Sequence, residues 1–214
     1  RFQPLAPERG STQFTTARLT GTEQSNSSVV LDDRMVLKVY RRAEAGVNPE
    51  LEVLRFLTER DFPNAPRLAG WYETDGGRVE ATLGLLETYV PGARDGWTVA
   101  TGMLAAGAGN EFLELVPRLG MVTGLLHATL ASESTDPAFA PEVPSTEALG
   151  LLTAVVDEEI DRSFSIATAC EAAQPIAQRA EEVRDRLHVL GQTTDAGKLI
   201  RHHGDYHLGQ VLLA

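Results

Sequence analysis

The amino-acid sequence predicts an α+β protein: an antiparallel sheet with one helix comes first, and a mainly helical part follows. Three observations carry this. Up to Gly92 the apolar residues fall in runs of strand length broken by Gly, Asp, Asn and Pro, the pattern of short strands joined by turns. From Gly96 to about Leu190 they recur at helical spacing. The run from Leu199 to Leu213 then sets ionisable residues between two short apolar stretches, as in a loop held between strands.

Residues 1–14 are polar, contain Pro4 and Pro7 and show no period, so they read as a lead-in to the sheet. Phe14 to Leu19 suits a short strand, and 21–28 a polar turn. Val29-Val30-Leu31 and Met35 to Tyr40 flank Asp32-Asp33-Arg34 and predict a hairpin. Lys38 sits inside the second run, among valine, leucine and tyrosine. A lysine on an apolar strand is costly unless its ammonium meets an anion, or unless the strand is an edge from which it reaches water.

Asn48-Pro49 predicts a helix start, the amide as N-cap and the proline in the first turn. Leu51 and Leu54, with Val53 and Leu57, form its buried stripe. Glu50 fits a first-turn carboxylate favoured by the helix dipole. Pro63 and Pro66 end the helix, and 68–73 and 79–90 read as strands around Asp75-Gly76-Gly77.

In the second part a short helix follows Asp95-Gly96-Trp97. Glu111 to Leu130 is apolar nearly all round, which predicts a helix at the centre of a lobe with His127 as a hydrogen-bonded core residue. Pro117 and Gly120 mark a kink or its start. Pro137 and Pro141 make an extended connector. Residues 145–170 and 174–190 give two amphipathic helices, and 181–186 a solvated face with ion pairs at helical spacing.

The chain has 214 residues, 43% hydrophobic and 23% charged, enough for a sizeable core in one or two lobes. Nineteen basic against thirty acidic residues give a net charge of −11. That argues against nucleic acid or an anionic membrane as partner, since both need a concentrated basic surface. Cys170 is the one cysteine, so no intramolecular disulfide forms and a reducing cytoplasm is the expected compartment.

The chemistry gathers in His203-Gly204-Asp205-Tyr206-His207-Leu208-Gly209-Gln210. A carboxylate in such a loop can orient a weak hydroxyl nucleophile and accept its proton. An amide oxygen shortly after can ligate a cation without adding charge. Three histidines beside an aspartate could instead bind zinc or iron, although neighbours such as His202 and His203 point to opposite faces of a strand.

The spacing His203-x-Asp205 with Gln210 five residues on resembles the catalytic loop of kinases. The longer string, together with Glu23-Gln24-Ser25-Asn26-Ser27-Ser28 and Asn48-Pro49-Glu50-Leu51-Glu52, resembles the maltokinase branch of the aminoglycoside-phosphotransferase-like kinases. The resemblance implies a protein-kinase-like two-lobed fold. Residues 1–92 would form a nucleotide-binding lobe ending in a hinge, and 93–214 a helical lobe with its catalytic loop at 201–210.

It further implies ATP and Mg²⁺ as cofactors, with Asp205 as catalytic carboxylate and Gln210 as metal ligand. Lys38 would bind ATP phosphates, held by Glu52, under a covering turn at Ser27 and Ser28. The base would lie near Glu87, Tyr89 and Val90, His207 would line the acceptor site and His203 would brace the loop. Maltose is the expected acceptor, giving maltose 1-phosphate, and glucosamine, giving glucosamine 6-phosphate, the alternative. A non-catalytic nucleotide-binding module is the reading of another class. The family also carries a metal-binding Asp beyond Gln210, which this sequence does not reach, and an N-terminal cap without a clear counterpart, so an incomplete large lobe is expected.

Overall fold

The computed structural model describes residues 1–5, 13–20, 26–74, 80–191 and 197–214. They form two compact units, one of Arg1–Ser132 with His202–Ala214 and one of Glu133–Arg201. Residues 93–132 and 202–214 thus belong to the same unit as the sheet, where the sequence reading places a lobe boundary at residue 92.

The first unit carries a six-stranded antiparallel sheet. Its strands are β1 (Phe2–Pro4), β2 (Ala17–Leu19), β3 (Asn26–Leu31), β4 (Met35–Tyr40), β5 (Leu68–Glu73) and β6 (Thr82–Thr88), in the order β1-β5-β6-β4-β3-β2. The predicted hairpin is β3 and β4, in register from Asn26 opposite Tyr40 to Leu31 opposite Met35. Asp32 and Asp33 turn it with φ of 49° and 48°, a left-handed geometry that aspartate tolerates better than most residues.

The lead-in is more than a lead-in. Residues Phe2–Pro4 pair with β5, and the Leu5 N–H donates to the Ala69 carbonyl at 2.9 Å. Of the expected strand from Phe14, only Ala17–Leu19 forms. The turn at 75–77 and most of the polar turn, 21–25, lie outside the described residues.

Helix α1 (Pro49–Glu59) starts as predicted: the Asn48 side chain accepts from the Glu50 and Leu51 N–H groups. Leu51 and Leu54 bury against Leu68 and Leu85, the core of the sheet's covered face. Beyond β6 come β7 (Arg94–Asp95), α2 (Gly96–Ala105) and α3 (Gly109–Leu130), with Asp95 capping α2 through the Thr98 N–H.

Helix α3 corrects an expectation. It runs through Pro117 without a break, but only Leu126 and Leu130 are buried, while Leu113, Val116, Met121 and Leu125 lie exposed. His127 is exposed too, not in a core. Its packing neighbours α1 and α2 cover one stripe of an all-round apolar helix, so periodicity identified the apolar residues but not how much of them is covered.

The second unit holds α4 (Thr146–Thr168), α5 (Gln174–Ala177) and α6 (Ala180–Gly191). Arg184 of α6 reaches Glu181 at 2.6 Å and pairs with Asp157 and Asp161 of α4. A short antiparallel bridge joins Glu142 to Leu199. Among the described residues no helix is long and apolar enough to cross a membrane.

Candidate active site

Two clusters of polar side chains form within the first unit. The first arises from strand parity. Residues directly opposite in an antiparallel ladder share a face, as do residues two apart. Ser28 faces Lys38, Lys38 faces Leu85, and Val36 faces Glu87. Ser28, Lys38, Tyr40 and Glu87 therefore project from the face that α1 covers.

There the Lys38 ammonium lies 2.7 Å from Glu50 Oε1 and 3.0 Å from Glu87 Oε1. The Tyr40 hydroxyl donates to the other Glu50 oxygen at 2.8 Å. Burial on its own would lower the lysine pKa, but the charges and hydrogen bonds of Glu87 and Glu50 outweigh it and raise the pKa above its ordinary value. The Tyr40 hydroxyl is likewise pushed up, by burial first and then by the Glu50 charge. Lys38 stays an ammonium throughout the neutral range.

This corrects the partner expected for Lys38. Glu50 and Glu87 hold it, where Glu52 was expected. Pro49 opens the helix, and the backward tilt of helical side chains leans Glu50 in its first turn towards the strand. The lysine thus found its anions among carboxylates read as a helix-dipole residue and a hinge residue.

The hinge is corrected in part. Glu87 is 6% exposed, its backbone lies in the ladder between β4 and β5, and its carboxylate turns to Lys38. The Tyr89 N–H donates to the Arg34 carbonyl at 2.8 Å and so is already satisfied. Its ring lies beside the Arg18 guanidinium. Val90 follows the end of β6, half-buried.

Ser27 and Ser28 open β3 and do not belong to a turn. Ser28 is buried on the lysine face, whereas Ser27 lies opposite Val39 and accepts from Arg41 Nε at 3.3 Å. Register, invisible in the string of hydroxyls, separates the two.

The second cluster is the loop at 201–210. Gly204 has φ +87°, a conformation that glycine adopts without a Cβ penalty. The Asp205 N–H donates to His203 Nδ1 at 3.3 Å, and the Gly209 N–H to His207 Nδ1 at 3.0 Å. Both imidazoles accept through Nδ1, so each neutral ring carries its proton on Nε2. That places the His207 Nε2 proton towards Asp205 Oδ2, 3.7 Å away. The Asp205 carboxylate is 79% exposed.

Four contacts hold the loop. The Tyr206 ring lies 5.8 Å from that of His203, and its hydroxyl is 3.0 Å from Thr123 Oγ1 of α3. The chain then makes a single 3-10 turn, Leu208–Gln210, and enters β8 (Leu212–Leu213), which pairs with β7. The Gly96 N–H donates to the Val211 carbonyl at 2.8 Å, and a Cβ at Gly96 would lie 2.8 Å from the Leu208 carbonyl oxygen. Sequence reasoning missed Thr123 and Gly96, neither of which carries a local signal.

Gln210 is exposed at the end of this loop. Its amide oxygen is a hard donor of the kind Mg²⁺ accepts. Among the described residues no three of His, Cys, Asp and Glu converge to hold a metal ion. His202, His203, Asp205 and His207 are thus not gathered into such a group in this structure.

Comparison with known proteins adds the family. The sequence model described as the phosphotransferase enzyme family matches residues 16–214. A glucosamine kinase of Streptacidiphilus jiangxiensis is 31% identical over 96% of this chain and 47% of its own length. One from Mycolicibacterium smegmatis is 26% identical over 90% of this chain and 47% of its own. The chain thus spans about half the length of these curated relatives.

Among solved structures, glucosamine kinase in crystal form A matches all of the chain and 49% of its own, with a TM-score of 0.69 at 24% identity. A glucosamine kinase complex with glucosamine, ADP and inorganic phosphate also matches all of the chain and 50% of its own, with a TM-score of 0.68 at 24% identity. These matches establish the fold.

Proposed function

The chain belongs to the phosphotransferase enzyme family, and from that premise we propose that it is the nucleotide-binding half and catalytic loop of an ATP-dependent glucosamine kinase. The observation that carries the reading is the 31% identity to a glucosamine kinase over 96% of the chain. Maltose, the acceptor expected from the sequence, has no such support.

Lys38 is the ligand of the nucleotide phosphates, with the Ser28 hydroxyl on the same face. Val90 is the base contact, through backbone groups just beyond β6. Asp205 receives the hydroxyl proton of the sugar. As that oxygen bonds to the γ-phosphorus, the bond from phosphorus to the bridging oxygen breaks and ADP leaves with the electron pair. His203 holds the Asp205 backbone and His207 faces its carboxylate, where it lines the acceptor position. Gln210, with phosphate oxygens, would hold Mg²⁺, whose charge offsets that of the triphosphate when bound.

The test is a sugar panel of glucosamine, N-acetylglucosamine, glucose and maltose with ATP and Mg²⁺, read by ADP release and by the mass of the product. Glucosamine as the preferred acceptor supports the reading. ADP release with maltose and none with glucosamine would return the sequence-based expectation. Nucleotide binding without turnover on any sugar, in protein of the relatives' full length, would favour the non-catalytic module.

A further inference from the structure

The Glu50 carboxylate is gripped through both of its oxygens. Oε1 accepts from the Lys38 ammonium at 2.7 Å, and Oε2 accepts from the Tyr40 hydroxyl at 2.8 Å. Both donors belong to β4, two residues apart and so on one face of the strand.

Glu50 needs the second grip. Its side chain is 39% exposed in the first turn of α1, where water competes for it. A carboxylate held through one oxygen can still swing away from the ammonium, whereas one held through both keeps its plane and its distance. The bond from Tyr40 ends on a charged acceptor, which makes it stronger than a bond between neutral groups. Burial first, and then the Glu50 charge, push the hydroxyl well above its ordinary value, so it remains a donor throughout the neutral range. Its single proton goes to Glu50. The other acceptor, Asn48 Oδ1, is 3.3 Å away and already accepts from the Glu50 and Leu51 N–H groups.

Resting on the reading of Lys38 as phosphate ligand, we propose that Tyr40 is a positioning residue, which through Glu50 fixes the ammonium where the nucleotide phosphates meet it. One strand then supplies both the cation and the hydroxyl that steadies the cation's partner on α1.

The experiment is amine-directed acylation of the purified protein, with Lys38 followed by peptide mass spectrometry across a MgATP titration. Parent protein, Tyr40→Phe, Glu50→Ala and the double variant are compared. Tyr40→Phe keeps the ring and removes only the hydroxyl, and thermal unfolding checks that each variant folds. MgATP should protect Lys38 in the parent. Tyr40→Phe should raise the MgATP needed for half-protection by about tenfold, the scale of one hydrogen bond to a charged group. In the Glu50→Ala background the same change should add nothing, because the carboxylate it acts through is gone.

No shift in Tyr40→Phe overturns the proposal. An equal shift in both backgrounds also overturns it, since the hydroxyl would then act through the fold or through Asn48 and not through Glu50. If Glu50→Ala does not fold, Glu50→Gln takes its place, and there the effect of Tyr40→Phe should shrink to about threefold or less, as a bond to a neutral amide is about half as strong. Failure of MgATP to protect Lys38 in the parent removes the phosphate reading and the proposal together, whereas protection without a shift in Tyr40→Phe removes the proposal alone.

Discussion

The Lys38 ammonium lies 3.0 Å from a carboxylate oxygen of Glu87, its diagonal neighbour on the adjacent strand. A pair so placed is strong only while both members are present. Lys38→Met should destabilise the protein by about 3 kcal/mol, because it leaves the Glu87 charge buried without its cation. Adding Glu87→Leu should recover most of that loss. Urea denaturation of the single and double variants reads the coupling, and strictly additive effects would show that the pair has no special interaction.

Asp205 faces solvent and makes its loop contacts through its backbone N–H, so its carboxylate can be altered without unfolding the loop. Asp205→Asn should lower kcat at least ~10²-fold and leave ATP affinity within about twofold. Fluorescent-nucleotide titration alongside the glucosamine assay separates the two. Loss of both would make the residue a structural one.

A methyl group at Gly96 would meet the Leu208 carbonyl at 2.8 Å, beneath the loop. Gly96→Ala should therefore shift the loop, cost about 1–3 kcal/mol and reduce turnover. Gly102, on the same helix with nothing within 4 Å of its missing Cβ, is the control. Gly102→Ala should stabilise by up to ~1 kcal/mol with activity intact, as thermal unfolding and initial rates would show.

Hydrogen bonds from the Thr16 hydroxyl, the Thr16 N–H and the Thr15 N–H hold the Asp32 carboxyl at about 2, below its ordinary 3.8. A depressed folded value contributes stability that is fully present above the unfolded value and lost as pH falls. The contribution of Asp32 should thus fade between pH 3.8 and about 2. Asp32→Asn, which still suits the left-handed turn, should be less stable near neutrality and flatter through that window. Parallel acid-unfolding curves for the two proteins would contradict this.

What was legible in the sequence was local. The β3–β4 hairpin, the Asn48 cap and the helices from Gly96 to Thr168 follow from apolar spacing and turn residues, whereas the single helix expected over 174–190 is two, Gln174–Ala177 and Ala180–Gly191. The edge strand Phe2–Pro4 had no signal, because its partner β5 and not its own composition makes it a strand. In the candidate site, the Asp205 N–H donates to His203 Nδ1, a contact between residues only two apart in the chain. The partners of Lys38 were not legible, since Glu50 and Glu52 differ only in helical phase and Glu87 reaches the lysine through sheet register.

The uncovered apolar side chains of α3 and α4, Met121 at 67% exposure and Leu151 at 69% among them, bear on how this protein behaves at high concentration. Mutual repulsion between molecules of charge −11 keeps such patches from meeting in dilute buffer. That repulsion reaches ~10 Å in 0.1 M salt and only ~3 Å in 1 M. Turbidity and light scattering should therefore climb with ionic strength, and preparations kept in low salt, well above the carboxylate range, should stay clear.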